Sequence, residues 1–324
     1  MKAFNAMMRM VTAGVLMTIA GTTTAQQSYP TKPIRIVVAF PPGGATDVVA
    51  RVLAQRLAER VKQPVIIENR AGASGVIGTE FTAKAAPDCY TLTFTANSHL
   101  IRPHLLKVLR YDVKKDFSAV AMVGGVPNAF IVKKAIPTNT IAEFIQYARQ
   151  HEGKLSYGSW GVGSAPHVRI EMFKLEHKLD LLHVPYQGAA PALTGVVGGQ
   201  IDMMIIPLLV AEGQYKAGRI RMLGVSTAQR IPEAPDVPTF AEQGMPLTGA
   251  SWLGFLGPAN IPADIVNLLN REITAIVKEP QMREALARNG VEVSTSTPQE
   301  FAAYLDSEYE FWGKALRTVN IPKE

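Results

Sequence analysis

The chain is poor in the residues and motifs that most often announce chemistry. One cysteine, Cys89, stands among 324 residues, so no disulfide can form within the chain. The six histidines show no HExxH or other zinc spacing, and no metal or cofactor is expected. GxSxG is absent, since Gly72-Ala73-Ser74-Gly75 and Gly249-Ala250-Ser251-Trp252 have the wrong spacing for a nucleophile elbow. No lysine follows Gly44, which removes the phosphate loop GxxxxGK[ST]. Gly161-Val162-Gly163-Ser164-Ala165-Pro166 starts like a dinucleotide fingerprint, but proline takes the third glycine's place. Lys and Arg form no block, so there is no nucleic-acid footprint. No segment reaches roughly 18 uninterrupted apolar residues, the length a membrane helix needs. These absences leave no positive support for catalysis. They do not close it, because a triad is assembled in space rather than in sequence.

What is present starts at the N-terminus. Lys2 and Arg9 precede a short apolar run, MVTAGVLMTIA, and Thr23-Thr24-Ala25 resembles a small-residue cleavage site. The pattern predicts a secretory signal peptide over residues 1–25, cut after Ala25. No cysteine lies near that point to carry a lipid. Removal would take two bases and no acid, leaving 31 basic against 27 acidic residues.

The remainder alternates strand and helix. IRIVVAF is β-branched and apolar, like a buried parallel strand. TDVVARVLAQRLAERV sets Val48, Val49, Val52, Leu53, Leu57 and Val61 near one helical face. VIIE and YTLTFTA continue a β-α-β-α-β run with right-handed crossovers. A second such series starts near residue 130, and AFIVKK, LSYG, LLHVPY, QIDMMII and IRMLGVS are its strands. Residues 227–249, with four prolines, read as an irregular connection. WLGFLG, two helices, VEVS and a C-terminal helix over 298–316 then return to the first series. Thr140 with Glu143, and Thr297 with Glu300, have capping-box spacing. The expected domains are 26–124 with 249–324, and 125–248, each a mostly parallel sheet flanked by helices.

Ligands of open α/β sheets bind beyond the carboxyl ends of strands, at helix N-termini. Two loops fit that description: AFPPGGATD at 39–47 and SWGVGSAPH at 159–167. Each follows a strand, is rich in glycine and leads into a helix whose first N–H groups have no helical partner. Two such helix ends suit a ligand with one or two carboxylates. Either loop alone could equally be a plain turn.

These stretches, with PVIIENRAGASGVIG, HVPYQGAAPALTGVVGGQIDMM and RIRMLGVSTAQRIPEAPDVPTFAEQG, resemble the Bug-type periplasmic receptors of tripartite tricarboxylate transporters, collinearly over the mature chain. The resemblance implies a two-domain α/β periplasmic binding protein (a Venus flytrap). It implies a small organic anion held in the cleft: a di- or tricarboxylate, an acidic amino acid or an aromatic acid. Membrane transporter subunits would be its partners. Two other readings stay open: an exported hydrolase using the same cleft, and a receptor that presents its ligand to a sensor kinase.

Carried over by position, the first loop supplies Phe40, Pro41, Gly43, Gly44, Ala45, Thr46 and Asp47. Asn97 and Ser98 follow the third strand. The second loop supplies Ser159, Trp160, Gly163, Ser164 and His167. Tyr186, Gln187 and Gly188 follow another strand, and Asp202 matches a recurring family position. Asp47 could equally cap its helix, Asp202 could be a buried structural acid, and Tyr186 could be core. Two residues depart from the family pattern. Cys89 stands where a glycine is usual, and Trp160 is larger than expected in its loop. An indole beside the cleft would favour a flat or aromatic acid; one on the loop's outside would not.

Overall fold

The first strand is buried along nearly its whole length, with Ile34, Ile36, Val37 and Val38 without exposed surface. It is the interior of a sheet whose crossovers are helical. In the computed structural model β1 (Ile34–Val38) leads into α1 (Ala45–Val61), β2 (Val65–Asn69), α2 (Val76–Ala83), β3 (Thr91–Thr95) and α3 (Ser98–Leu105). β1 pairs in parallel with both β2 and β3. Val49, Leu53 and Leu57 of α1 are buried, whereas Val48, Val52 and Val61, at the flanks of the expected face, are half-buried. The structure describes residues 29–40, 42–43, 45–72, 75–232, 234–245, 251–319, 321 and 323. The expected signal peptide, Pro41, Gly44, the side chain of Ala45 and the expected 248/249 boundary lie outside what is described.

β4 (Phe117–Val126) then runs directly through Pro127 into β5 (Asn128–Lys133). After it come α4 (Ile141–Gln150), β6 (Leu155–Ser159), α5 (Ala165–His177), β7 (Leu181–Pro185), α6 (Ala189–Val197), β8 (Met203–Pro207), α7 (Leu208–Lys216) and β9 (Ile220–Val225). β10 (Ser251–Pro258), α8 (Ala263–Lys278), α9 (Pro280–Arg288), β11 (Glu292–Val293) and α10 (Pro298–Thr318) complete the chain. Among the described residues the strands form two sheets. One has six strands, ordered β11-β4-β10-β3-β1-β2; the other has five, ordered β7-β6-β8-β5-β9. Lys32–Glu324, which holds both, is one compact unit.

Both sheets are mixed rather than mostly parallel. β10 is antiparallel to β3 and β4, and β5 is antiparallel to β8 and β9. Helical crossovers return a chain in the same direction, whereas β4, β5 and β10 enter on the direct links between the sheets. The chain passes between the sheets at Pro127 and again between Val225 and Ser251. No described helix is long and apolar enough to cross a membrane.

The five-stranded sheet has an apolar cluster on each face. Phe130, Phe144, Tyr157 and Phe173 build one, and Ile131, Leu193, Met204 and Ile206 the other. A third cluster joins the two halves. Val168 of α5, with Ala165 and Met172, packs among Leu100, Ile101 and Leu105 of α3, Trp252 of β10, and Phe301 and Trp312 of α10. Burying one such aliphatic side chain contributes about 1.5–3 kcal/mol, so the N-terminal half of α5 is anchored on the six-stranded half.

Candidate functional site between the two sheets

The turn after β1 is held by its own helix. Asp47, in the first turn of α1, is 2% exposed. Its Oδ2 accepts from Gly43 N–H at 2.9 Å and from Arg51 Nε at 3.0 Å. Its Oδ1 accepts from Asn69 Nδ2 at 2.8 Å. Asn69 also donates to the Phe40 carbonyl at 3.1 Å and accepts from Arg51 Nη2 at 2.9 Å. Burial pushes the Asp47 carboxyl up, but bonds from Arg51, Gly43 and Asn69 outweigh it and hold its pKa at about 2. A carboxylate occupied in this way shapes the loop and is not offered to a ligand. Arg51 is visible in sequence at i+4 from Asp47. Asn69 is not, because only the pairing of Val38 with Asn69 brings it there. Thr46 is half-buried beside Asp47, and Phe40 at the loop's start is also half-buried.

β3 ends at the same edge of the sheet. Asn97 is 2% exposed, and its Oδ1 accepts from Trp252 N–H of β10 at 2.9 Å. Its Nδ2 is buried with no hydrogen-bond partner among the described residues. A buried amide left that way costs about 1–3 kcal/mol unless something accepts from it. Ser98 opens α3, whose N-terminus has no side-chain cap. The sequence reading missed α3 altogether, because Pro103 sits inside it.

In the five-stranded sheet, Ser159 ends β6 without exposed surface. Its hydroxyl donates to the Gly161 carbonyl at 3.0 Å and lies 2.7 Å from His183 Nε2. Ser164 also turns its hydroxyl to the Gly161 carbonyl, at 2.7 Å, and so does not cap α5. Gly163 N–H donates to His167 Nδ1 at 2.9 Å. Among the described residues no side chain therefore caps the first turn of α5. α6 likewise begins at Gly188 with no side-chain cap. By contrast, the Thr140 side chain accepts from Glu143 N–H at the head of α4, and Thr297 with Glu300 forms a full capping box on α10. α8 and α9 also start without a side-chain cap, so open amides matter only where strand ends converge.

A narrow gap, too tight to admit a water molecule, lies between the halves, lined by Asn128, Trp160, Ala165, Pro166, Arg169, Ile205 and Ser251. Trp160 thus faces the gap while resting on the Ile131–Met204 cluster. Ser251 precedes Trp252, whose N–H meets Asn97, so the β3–β10 edge borders the same gap. A Cβ built on Gly163 would come 2.2 Å from Leu105 Cδ1 of α3, so this turn touches the other half. Arg169 is 6% exposed, with its guanidinium carbon 5.4 Å from the Trp312 ring centroid. Burial raises the pKa of Glu308 nearby, against the bond from Trp312 and the charge of Arg169, which lower it. Sequence reasoning missed Asn128, Arg169 and Ser251, which carry no motif.

Other expected residues are placed differently. Tyr186 lies against α6: a Cβ on Gly195 would come 2.4 Å from its hydroxyl, and the ring packs on the Ile131–Met204 cluster. Gln187 beside it is exposed. Asp202 stands before β8, at the opposite end of the sheet. It accepts from Ser156 N–H at 2.7 Å and Oγ at 3.0 Å, and its Oδ1 is 2.5 Å from Lys133 Nζ. Three residue steps along β6 separate Ser156 from Ser159, roughly 10 Å at strand rise. Asp202 ties strand starts together and is not gathered with the other expected residues. Among the described residues no group of three or more His, Cys, Asp or Glu could hold a metal ion.

A family model described as the tripartite tricarboxylate transporter family receptor matches residues 49–321. The chain belongs to that family. It is 33% identical to the protein BugT of Bordetella pertussis over 309 residues, 94% of this chain and 93% of the other. A solved structure from R. palustris, Rpa4515 with adipate, is 34% identical with a TM-score of 0.79, covering 91% of this chain and 99% of that one. MatC from Rhodopseudomonas palustris with bound malate is 29% identical with a TM-score of 0.73, covering 89% and 100%. A tripartite tricarboxylate receptor is a periplasmic solute-binding protein that works with membrane components of its transporter. It is a binding protein, and the family lends the hydrolase reading no support.

Proposed function

We propose that this receptor captures a small organic acid in the gap between its two sheets. The observation that carries the reading is the convergence of α3 and α5, opened by Asn97 and Ser164 without side-chain caps, on a gap lined by Trp160, Ala165 and Ser251. Open amides at helix N-termini favour negative charge. The buried Asn97 Nδ2 adds a donor without a partner among the described residues. The relatives named with adipate and with malate make aliphatic dicarboxylates the first class to try; acidic amino acids and aromatic acids follow.

In this reading Phe40–Thr46, Asn97, Ser98, Ser159–Ser164 and Gly188 present backbone or short polar groups to the ligand. Asp47 and His167 hold the loops. The sheets are the cores of two domains, with Pro127 and the 226–250 connection as their hinge. Residues 1–25 are a signal peptide cut after Ala25, and the closed form is handed to the membrane components.

A thermal-shift screen of carboxylates, followed by calorimetry, tests the proposal. A ligand at a hundredfold excess over Kd should stabilise the receptor by about 2.7 kcal/mol. If no organic acid raises the melting temperature, the reading fails.

A further inference from the structure

Beneath the Ser159–His167 turn lies a column of three rings that carbonyl and amide chemistry alone does not call for. His167 comes from α5, His183 from β7 and Tyr157 from β6. The imidazoles stack with centroids 3.9 Å apart and planes 9° apart. Tyr157 follows His183 at 4.8 Å and 19°, because the β6–β7 register sets the two opposite each other.

The polar edges of this column fix the tautomer of one ring and couple that of the other to the Ser159 hydroxyl. Gly163 N–H donates to His167 Nδ1, so that atom carries a lone pair and a neutral His167 bears its proton on Nε2. The Ser159 hydroxyl accepts from Gly161 N–H at 3.2 Å and has one proton for two acceptors in reach, the Gly161 carbonyl at 3.0 Å and His183 Nε2 at 2.7 Å. Donation to the carbonyl leaves it accepting from His183 Nε2. In that arrangement His183 also bears its proton on Nε2. One ring fixes the Gly161 end of the turn through Ser159, and the other fixes the Gly163 end directly. Both glycines have positive φ, 124° and 69°, where little else dictates the path of the backbone.

We propose that His183, acting with His167, is a positioning residue for ligand binding: the pair, neutral and protonated on Nε2, sets the direction of the Gly161–Ser164 peptide groups. The proposal rests on this turn being half of the ligand site. The groups facing the pair are Tyr157 and Ser159 from β6, and Glu171 and Lys174 from α5. Lys174 Nζ donates to Glu171 Oε1 at 2.7 Å and the Tyr157 hydroxyl donates to the same oxygen, so that carboxylate is already engaged. Burial lowers His167 to about 4, helped by His183 and Lys174 and opposed by Glu171. Burial also lowers His183. A proton added to His167 Nδ1 would face the Gly163 N–H, donor against donor, and a charge on one ring would oppose charging the other.

Four variants separate atoms from volume. His167→Asn places an amide oxygen near the Nδ1 position, and His183→Gln keeps a donor near Nε2; His167→Phe and His183→Phe keep the rings and lose both. With adipate and malate as probes at about pH 7.5, each Phe variant should bind about tenfold or more weakly, the worth of a buried hydrogen bond. The amide variants should recover to within about threefold. Equal affinity in all four, or equal loss in amide and Phe variants, overturns the proposal. Nitrogen NMR of the ligand-free wild type should show Nε2–H on both rings and a coupling from the Gly163 amide to His167 Nδ1. A proton on Nδ1 of either ring overturns it, even if a variant fails to fold. Should the wild type bind neither acid while the NMR signature stands, the ligand reading fails and the proton arrangement survives.

Discussion

The two turns solve one problem with different chemistry. Phe40–Asp47 is clipped by a carboxylate among three donors, with Arg51 and Asn69 closing the set. Ser159–His167 is clipped by a hydroxyl and two neutral imidazoles. The first needs a charge to persist and the second needs one to stay away. The difference extends to what each turn touches. A Cβ on Gly43 would meet nothing within 4 Å, whereas one on Gly163 would strike Leu105 of the other half. The second turn is therefore both a ligand candidate and an interlobe contact, and the first is local.

The largest test of that contrast is a bulky residue at each glycine. Gly163→Val should weaken acid binding by about 100-fold or more. The new side chain strains a backbone at φ 69° and pushes on Leu105, and even one misplaced loop contact is worth factors of ten. Its stability should fall by about 2 kcal/mol, because the atom it meets first is the end of a flexible side chain. Gly43→Val should cost only the left-handed strain, about 1–2 kcal/mol. Calorimetry and urea denaturation on both variants check this, and equal losses in binding would remove the distinction between the turns.

Acid should loosen the turns in sequence. His167 has a folded pKa of about 4 against an ordinary 6.5, so below pH 6.5 the unfolded chain takes a proton that the folded one refuses. Stability then falls from pH 6.5 down to about 4, by on the order of 3 kcal/mol. Asp47 is shifted in the same direction, from an ordinary 3.8 to about 2. Its contribution is complete above pH 3.8 and is lost only as pH falls toward 2. Urea midpoints between pH 7 and 4 should therefore drop in the wild type and drop less in His167→Asn. A parallel fall in both would show that other groups dominate. Asp47→Ala should cost about 2–3 kcal/mol at every pH in that range, since it strands the Gly43 N–H and Asn69 donors.

Trp160 gives a smaller effect confined to the second turn. It lines the gap while resting on the Ile131–Met204 cluster. Trp160→Ala should weaken aromatic acids by about tenfold relative to aliphatic ones, the worth of one aromatic contact. An unchanged ligand profile would make the indole a packing residue only.

Much of the frame was legible because it follows from local pattern. Val49, Leu53 and Leu57 at helical spacing, the β-branched run before Ala39, and Thr297 with Glu300 each dictate their element within a few residues. The misses are non-local. β4 runs directly into the second sheet, yet no strand was expected over Phe117–Val126. In space a Cβ on Gly124 would strike the Glu292 carbonyl of β11 at 2.2 Å, so the glycine is there to admit a neighbouring strand. The site was legible as two glycine turns and no further. Asn69 reaches Asp47, and His183 reaches Ser159, only through sheet register. Asp202 misled for the same reason: its type fits a ligand site, but the register puts it at the wrong end of the strands.

Cys89 gives the smallest effect. Its φ is 61°, the left-handed region where a side chain costs about 1–2 kcal/mol, which explains why a glycine is expected at this turn before β3. The cysteine is nevertheless buried without exposed surface, and a Cβ on Gly257 would lie 3.8 Å from its Sγ. Cys89→Gly removes the strain, but loses about 1 kcal/mol of buried side chain and adds about 0.5–1 kcal/mol of unfolded-state entropy. The terms nearly cancel, so its urea midpoint should move by less than the equivalent of about 1 kcal/mol. Cys89→Ala keeps the strain and loses the sulfur, and should be the less stable of the two. If alanine were the more stable, packing of this turn rather than its backbone angle would govern the position.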